Sequence, residues 1–125
     1  MSFEPQDAPH GESNDRIKTV TMETFDATIL EGTGPIVVEF MSYGCAYCRA
    51  MEPVLQQVAA MGKARGKIFR VNVGVEHELA ESYAVESTPT MIMFLDGQQV
   101  GRVEGALPNV ASVLTAITKP FRVAS

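Results

Sequence analysis

The sequence predicts an α/β fold in which a central mixed sheet of four to five strands is covered by helices on both faces. The first observation is the order of the elements, because strand–helix–strand units precede a β-hairpin and a final helix. The second is that residues 36–41 and 90–95 are apolar on both sides, which is typical of strands buried on both faces. At 125 residues, the chain is long enough for one such domain.

The first half of the chain alternates between strands and helices. We predict strands at residues 17–20 and 36–41 and helices at residues 21–30 and 45–61. A basic turn is expected at residues 62–66. Thr21 can cap the first helix. Met22, Phe25 and Ile29 recur at helical spacing, which places them together on its apolar face. Pro53 lacks a backbone N–H, so we expect it to kink the second helix.

The second half contains the predicted hairpin and the last helix. We predict a strand at residues 67–73 and a short helix at residues 76–83. The two hairpin strands are expected at residues 90–95 and 99–103, and the last helix at residues 108–118. The Asp96–Gly97 pair between the hairpin strands is a strong signal of a tight turn. Met91 and Met93 are expected to fill the core. The apolar face of the last helix carries Val110, Val113, Leu114 and Ile117.

The two ends of the chain are interpreted as tails around a single domain. Residues 1–16 are polar and acidic, so we expect a flexible N-terminal tail. Residues 17–118 are assigned to the domain, and residues 119–125 to a C-terminal tail. The start lacks the basic region and apolar segment of a signal peptide, and no apolar run is long enough to span a membrane. We therefore expect a cytoplasmic protein.

The composition narrows the range of partners. Hydrophobic residues make up 46% of the chain and charged residues 20%, which are ordinary values for a globular protein. The net charge of −5 argues against a nucleic-acid partner, because binding to a phosphate backbone needs clustered Lys and Arg. We expect no membrane partner either, and we expect the protein to act as a monomer.

The two cysteines of the chain carry most of the functional information. Cys45 and Cys48 stand at the predicted turn from the strand at residues 36–41 into the following helix. Free N–H groups and the helix dipole at a helix N-terminus favour an anion, and so favour a thiolate at Cys45. Cys48 lies one turn further on, close enough to form a disulfide with Cys45. The pair is therefore predicted to cycle between a dithiol and a disulfide.

Other roles for the cysteine pair fit the sequence less well. A structural zinc site needs four ligands, and His10 and His77 show no metal-site spacing. Covalent haem attachment needs a histidine directly after the second cysteine, where this chain has Arg49. An iron–sulfur cluster needs more thiolates, and a structural disulfide across so short a loop would constrain the unfolded chain little. Redox chemistry without a metal or bound cofactor is the better interpretation.

This ordered set of features resembles the thioredoxin superfamily over roughly residues 17–118. An apolar strand with a carboxylate precedes the C-x-x-C turn, and Pro53 follows Cys48 by five residues. Three further segments fall at matching distances, namely Thr88–Pro89–Thr90, Asp96–Gly97 and Gly105–Ala106. The resemblance implies the thioredoxin fold and a thiol–disulfide oxidoreductase that acts on disulfide-containing proteins. It also implies an external reductase, such as a thioredoxin reductase, that recycles the protein.

The resemblance implies roles for the residues of the redox centre. Cys45 would attack a substrate disulfide, and Cys48, deprotonated by Glu39, would resolve the mixed disulfide and leave a Cys45–Cys48 disulfide. Glu39 is either a buried base with a raised pKa or a carboxylate on an exposed pleat of the strand. Arg70 falls where the family often holds a basic partner for that carboxylate, although a solvated charge on the strand is the alternative.

The resemblance also implies a substrate groove beside the thiols. The Thr88–Pro89 bond would be cis, and the backbone of Thr88 would pair with an extended substrate segment. Gly105 would belong to the far wall of the groove. Tyr47 is either a substrate contact or an exposed ring. The full set of expected substrate-binding residues is Gly44, Ala46, Tyr47, Thr88, Pro89, Gly105 and Ala106.

The chain departs from the usual thioredoxin pattern around the motif. Gly44 and Met41 stand where thioredoxins usually have tryptophans, and Ala46–Tyr47 replaces Gly-Pro. Residues between the cysteines tune the reduction potential over more than about 100 mV. Two alternatives therefore stay open: a non-catalytic binding or chaperone module with this fold, and a disulfide oxidant or isomerase. Turnover of a disulfide substrate would distinguish an oxidoreductase from the binding module. The reduction potential would distinguish a reductant from an oxidant or isomerase.

Overall fold

A computed structural model describes residues 15–61 and 67–124, in which the strands form one mixed sheet. The strands are β1 (Lys18–Thr19), β2 (Pro35–Met41), β3 (Lys67–Asn72), β4 (Thr90–Leu95) and β5 (Gln98–Glu104). Their order in the sheet is β1-β3-β2-β4-β5. β3 is parallel to both β1 and β2, whereas β4 is antiparallel to β2 and β5. The predicted mixed sheet is therefore confirmed, with β2 in the middle of it.

Helices cover both faces of this sheet. They are α1 (Met22–Phe25), which continues as a π-helical turn (Asp26–Leu30), then α2 (Ala46–Ala60), α3 (His77–Ser82) and α4 (Val110–Ala124). The core residues of α2 and α4 belong to one apolar cluster, and those of α1 and α3 belong to another. No helix in the described ranges is long and apolar enough to cross a membrane. The predicted turn at residues 62–66 and residues 1–14 of the predicted tail lie outside the described residues.

The two-residue period of the strands explains why the central strands are apolar throughout. In β2, Val37 contributes to the cluster beneath α2 and α4, while Val38 contributes to the opposite cluster. In β4, Met93 and Phe94 divide in the same way. The prediction that the methionines of β4 fill the core is confirmed, because they are at most 1% exposed. Both faces of the sheet centre are thus removed from water.

The predicted hairpin between β4 and β5 is present. Asp96 and Gly97 have φ values of 51° and 82°. Positive values at both central residues are what a tight two-residue turn needs. A Cβ atom on Gly97 would collide with the backbone carbonyl of Leu30. This position therefore requires glycine for two reasons, the backbone torsion and the close approach of another segment.

The last helix is longer than predicted. We expected it to end at residue 118 and residues 119–125 to form a tail, but α4 continues to Ala124, and only residue 125 lies outside the described range. Phe121 is buried in the same cluster as Ile117, which ties the additional turns to the core. Pro120 packs against Gly101 of β5, where a Cβ atom would come within 2.6 Å of its ring. The missing side chain at Gly101 therefore makes room for the proline.

The first helix also differs from its prediction at one end. Phe25 and Ile29 are buried, but Met22, which we expected on the same face as these two residues, is 49% exposed. The helix widens after Phe25, and the N–H of Glu31 donates to the carbonyl of Asp26, five residues earlier, at 2.8 Å. A period of 3.6 residues does not extend across such a π-helical turn. The apolar face therefore does not run straight from residue 22 to residue 29.

Candidate active site

Cys45 stands at the junction between the central strand and α2. It is the N-cap residue of α2 with an extended backbone, and its Sγ accepts a hydrogen bond from the N–H of Cys48 at 3.2 Å. Its own N–H donates to the carbonyl of Ser42 at 3.1 Å, which fixes the turn. Desolvation by partial burial is the largest single influence and opposes ionisation, but the hydrogen bonds with Cys48, Thr88 and the backbone of Tyr47 together outweigh it, so the pKa of Cys45 lies below its usual value. A half-buried thiol of this kind is suited to nucleophilic attack.

Cys48 has the opposite environment one turn into the helix. It is only 2% exposed, and both cysteines are free thiols in the structure. Burial, followed by the hydrogen bond with Cys45, raises the pKa of Cys48 to about 11. With so high a pKa, Cys48 needs a base before it can act as a nucleophile near neutral pH.

Within the described ranges, no three His, Cys, Asp or Glu side chains form a group that could hold a metal ion.

Glu39 is buried in the middle of the sheet. It lies in β2 with Arg70 of β3 and Met91 of β4 as its register partners, and it is 0% exposed. Burial, followed by the negative charge of Glu52, raises the pKa of Glu39 to about 7, although Arg70 opposes this rise. The alternative of an exposed carboxylate is thereby excluded. A carboxyl group with this pKa can take up and release a proton near neutral pH.

Arg70 does not make the expected ion pair with Glu39. Its Nη2 donates to Glu52 at 2.5 Å, and its Nη1 donates to Asp15 at 3.1 Å. Neither carboxyl oxygen of Glu39 has a hydrogen-bond partner within the described part of the chain. The alternative of a solvated charge also fails, because Arg70 is 4% exposed. Arg70 is therefore a buried cation whose ion-pair partners are carboxylates other than Glu39.

Glu52 and Asp15 were missed by the sequence analysis. Gln56 links them, because its Nε2 donates to Asp15 at 2.7 Å and to Glu52 at 2.8 Å. Cys48, Glu52 and Gln56 are spaced four residues apart on α2, a pattern that would have placed them on one helix face. Asp15 gave no such signal, because it was assigned to the predicted tail. The described chain instead joins Asp15 to the domain through Arg70 and Gln56.

The Thr88–Pro89 segment lies beside the first thiol. Its peptide bond is cis, as predicted. Cys45 Sγ lies 3.5 Å from the carbonyl oxygen of Thr88 and donates to it as a thiol. The carbonyl of Pro89 accepts a hydrogen bond from the N–H of Gly105 at 2.8 Å. These two hydrogen bonds bring Cys45, Thr88, Pro89 and Gly105 together, with the exposed Ala106 directly after them in the chain.

The rim around Cys45 is open and aromatic. Gly44 and Ala46 are exposed, and Tyr47 has 71% of its surface exposed. Tyr43, to which the sequence analysis gave no role, is 59% exposed, and its carbonyl accepts a hydrogen bond from Arg49 at 2.9 Å. Aromatic surface is thus present near the motif, although it is supplied by tyrosines at other positions than the usual tryptophans.

Comparisons with known proteins agree with this geometry. The thioredoxin family model matches residues 16–119. Thioredoxin 1 of Synechococcus elongatus is 36% identical over 89 residues, which cover 71% of this chain and 83% of that protein. A bifunctional thioredoxin reductase/thioredoxin of Mycobacterium leprae is 34% identical over 87 residues, which cover 70% of this chain and 19% of that protein.

A solved structure shares the fold as well. A mutant thioredoxin from Halobacterium salinarum has a TM-score of 0.72 and 24% sequence identity, and the match covers 82% of this chain and 88% of the other. The family match spans every strand and the start of α4, and it includes the C-x-x-C motif. The chain therefore belongs to the thioredoxin family and is a thiol–disulfide oxidoreductase that acts on protein disulfides.

Proposed function

We propose that this protein reduces disulfides in other proteins, with Cys45 as the nucleophile, Cys48 as the resolving thiol and Glu39 as the base for Cys48. The observation that carries the proposal is the contrast between the two thiols. Cys45 is half-buried with a lowered pKa, whereas Cys48 is buried with a pKa of about 11. A thiolate is the reactive form of a cysteine, so this contrast favours Cys45 for the first attack.

In the first step, the Cys45 thiolate attacks one sulfur of the substrate disulfide. The substrate S–S bond breaks, its second sulfur leaves as a thiolate, and a mixed disulfide joins Cys45 to the substrate. The lowered pKa of Cys45 increases the fraction of thiolate near neutral pH. The cap position at the start of α2 supports the same state, because the N–H of Cys48 points at the sulfur.

In the second step, Cys48 gives its proton to Glu39 and attacks the Cys45 sulfur. We propose that a water carries the proton between the two buried groups. The mixed disulfide breaks, the substrate sulfur leaves as a thiolate that takes up a proton from solvent, and a Cys45–Cys48 disulfide remains. Two electrons have then passed from the pair to the substrate. The Glu39 pKa of about 7 supports this role, because such a carboxyl group can hold the proton and later release it.

The substrate segment is proposed to lie along Thr88 and Gly105. The nearness of the Thr88 carbonyl to Cys45 Sγ supports this placement, because an extended segment paired there would bring its disulfide to the thiol. The side of Gly105 is open, since a Cβ atom built there would meet no atom within 4 Å. The surrounding contacts are assigned to Gly44, Ala46, Tyr47, Pro89 and Ala106, which lie around these two positions.

The oxidised protein is proposed to be recycled by an external reductase of the thioredoxin reductase type. The Mycobacterium leprae relative supports this partner, because its name joins a thioredoxin reductase and a thioredoxin in one chain. The two steps use side chains of one chain and need no bound cofactor. We therefore propose a monomer that takes part in electron transport and redox homeostasis in the cytoplasm.

Trapping of the mixed disulfide tests the proposal. Cys48→Ser should accumulate a covalent adduct with a disulfide-containing peptide through Cys45, because the resolving thiol is missing. The matched variant Cys45→Ser should accumulate little adduct, because the remaining thiol is buried. Peptide mapping by mass spectrometry locates the bond. Adduct formation through Cys48 would reverse the assignment, and a native protein that never reduces disulfides would indicate the non-catalytic module.

A further inference from the structure

Glu39 and Arg70 are direct neighbours that do not bond to each other. They are register partners on the parallel strands β2 and β3, and both are buried. Adjacent strands lie about 4.8 Å apart, so the two side chains start close together on one face of the sheet. Yet both carboxyl oxygens of Glu39 and the Nε of Arg70 lack a hydrogen-bond partner in the described chain. Because a buried arginine is almost always paired, residues other than Glu39 must hold the guanidinium of Arg70.

Two carboxylates from other parts of the chain hold Arg70. Its Nη2 donates to Glu52 at 2.5 Å, while its Nη1 donates to Asp15 at 3.1 Å and to the carbonyl of Ile17 at 3.4 Å. Gln56 donates to both carboxylates, at 2.7 Å and 2.8 Å, and so fixes their positions. Both terminal nitrogens of the guanidinium are therefore engaged away from Glu39.

Glu52 connects this cluster to the thiol pair through α2. It follows Cys48 by four residues, so the two side chains lie one above the other on the same helix face. The Glu52 side chain is 33% exposed, whereas that of Arg70 is 5% exposed. The Glu52 side chain is thus less desolvated than the fully buried side chain of Glu39. One helix places both the buried thiol and the carboxylate that engages Arg70.

We propose that Glu52 is a positioning residue for thiol–disulfide exchange, because its ion pair with Arg70 holds the guanidinium away from Glu39 and leaves the Glu39 carboxyl unpaired and able to hold a proton. The catalytic consequence rests on the proposed function of Glu39 as the base for Cys48. The physical link from Glu52 through Arg70 to Glu39 does not depend on that function.

The charges around Glu39 agree with this role of Glu52. Arg70 on β3 lowers the pKa of Glu39, whereas Glu52 on α2 and Cys45 at the start of α2 raise it after the larger effect of burial. The register partner on β4 is Met91, which carries no charge. Loss of the Glu52 carboxylate would lower the pKa of Glu39 in two ways. It would remove a repulsive negative charge, and it would free the Arg70 guanidinium to approach Glu39.

A carboxyl NMR titration of Glu39 in the reduced protein tests the inference. The resonance is assigned by its loss in Glu39→Gln. In Glu52→Gln, we expect the pKa of Glu39 to fall by about 1 or more, as for a carboxylate that gains an arginine partner. In Arg70→Met, we expect it to rise. In the Arg70→Met background, Glu52→Gln should lower the pKa of Glu39 less than in the native protein, because no cation is then released to approach Glu39.

Two further variants serve as controls. Glu23→Gln removes one negative charge from an exposed position of α1, and it should leave the pKa of Glu39 unchanged. Asp15→Asn weakens the second ion pair of Arg70 and should lower the pKa of Glu39 measurably below its value in Glu23→Gln. If Glu52→Gln fails to fold, an Asp15→Asn shift no larger than that of Glu23→Gln overturns the inference. The inference is overturned if Glu52→Gln shifts the pKa no more than Glu23→Gln does. It is also overturned if the Glu52→Gln shift is undiminished in the Arg70→Met background.

The pH profile of mixed-disulfide resolution separates this inference from the proposed function. In Glu52→Gln, the midpoint of that profile should move to lower pH together with the pKa of Glu39. If the pKa moves and the resolution profile does not, Glu39 is not the base for Cys48, and the link between Glu52, Arg70 and Glu39 still stands. If the pKa of Glu39 does not move, the inference fails even if Glu39→Gln slows resolution.

Discussion

Glu39 owes its proposed chemistry to its position in the middle of the sheet. A carboxylate in an exposed strand is solvated by water, but this one is fully buried and has no direct hydrogen-bond partner among the described residues. Its charged form is therefore disfavoured, and the protonated form persists to about pH 7. The same feature that makes Glu39 useful as a base also makes it costly for the fold above that pH.

Glu39→Gln should remove a pH-dependent loss of stability. The pKa of Glu39 is raised from 4.5 to about 7, so the native state holds a proton that the unfolded state has lost in this interval. The free energy of unfolding of the native protein should therefore fall by about 3 kcal/mol as the pH rises from below 4.5 to above 7, through this group alone. In Glu39→Gln, that fall should disappear. Urea unfolding at pH 5, 6, 7 and 8 measures it.

The slope with pH is the decisive quantity for this variant, because any constant cost of burying an amide leaves it unchanged. Parallel stability curves for the native protein and Glu39→Gln would contradict the raised pKa. If Glu39 also serves as the base, the same variant should resolve a mixed disulfide more slowly while forming it at a nearly native rate. Equal losses in both steps would argue against that role.

At the scale of elements, local patterns predict some boundaries well and others poorly. The strand at residues 90–95 is observed at Thr90–Leu95, because an apolar run and a tight-turn dipeptide define it within a few residues. The end of α4 is different. Its continuation past Pro120 depends on space beside Gly101, which belongs to β5 and is distant in sequence. The four-residue spacing of Val113, Ile117 and Phe121 is compatible with a continued helix, but the helix sequence does not show that space for Pro120 exists beside Gly101.

Phe121→Ala should show that the additional turns of α4 belong to the core. Phe121 is 5% exposed and contacts the cluster that contains Ile117, so truncation should lower the free energy of unfolding by about 3 kcal/mol. The matched control is Val123→Ala on the same helix, where the side chain is 78% exposed and little change is expected. Urea unfolding compares the two. An equally small effect of both variants would place the end of α4 outside the core.

At the scale of the whole molecule, the site combines features that the sequence predicts with others that only the fold creates. The cysteine pair is a local motif, and the burial of Glu39 follows from its place in a central strand. Arg70 forms ion pairs with Asp15, which is 55 positions away in the chain, and with Glu52, which is 18 positions away. They depend on how β1, β3 and α2 meet, and no single segment specifies that arrangement. The expected pairing with Glu39 was therefore replaced by one with Glu52 and Asp15.

The reduction potential of the pair should lie in the range of reductants. Only one thiol is stabilised as a thiolate, since the pKa of Cys45 is lowered while that of Cys48 is raised to about 11. The dithiol form therefore gains little extra stability, and we expect a potential near about −270 mV. Equilibration with defined dithiol–disulfide buffers measures it. A value between about −180 and −120 mV would instead identify an isomerase or an oxidant.

The order in which the two thiols react is the most direct test of the assignment of Cys45 as the nucleophile. The reduced protein is treated at pH 7 with a limiting amount of iodoacetamide, and the modified cysteine is identified by peptide mapping. Cys45 should be alkylated first, because it is the more exposed thiol and its pKa is lowered, while Cys48 should react only after the protein is unfolded. Preferential alkylation of Cys48 in the folded protein would contradict the account.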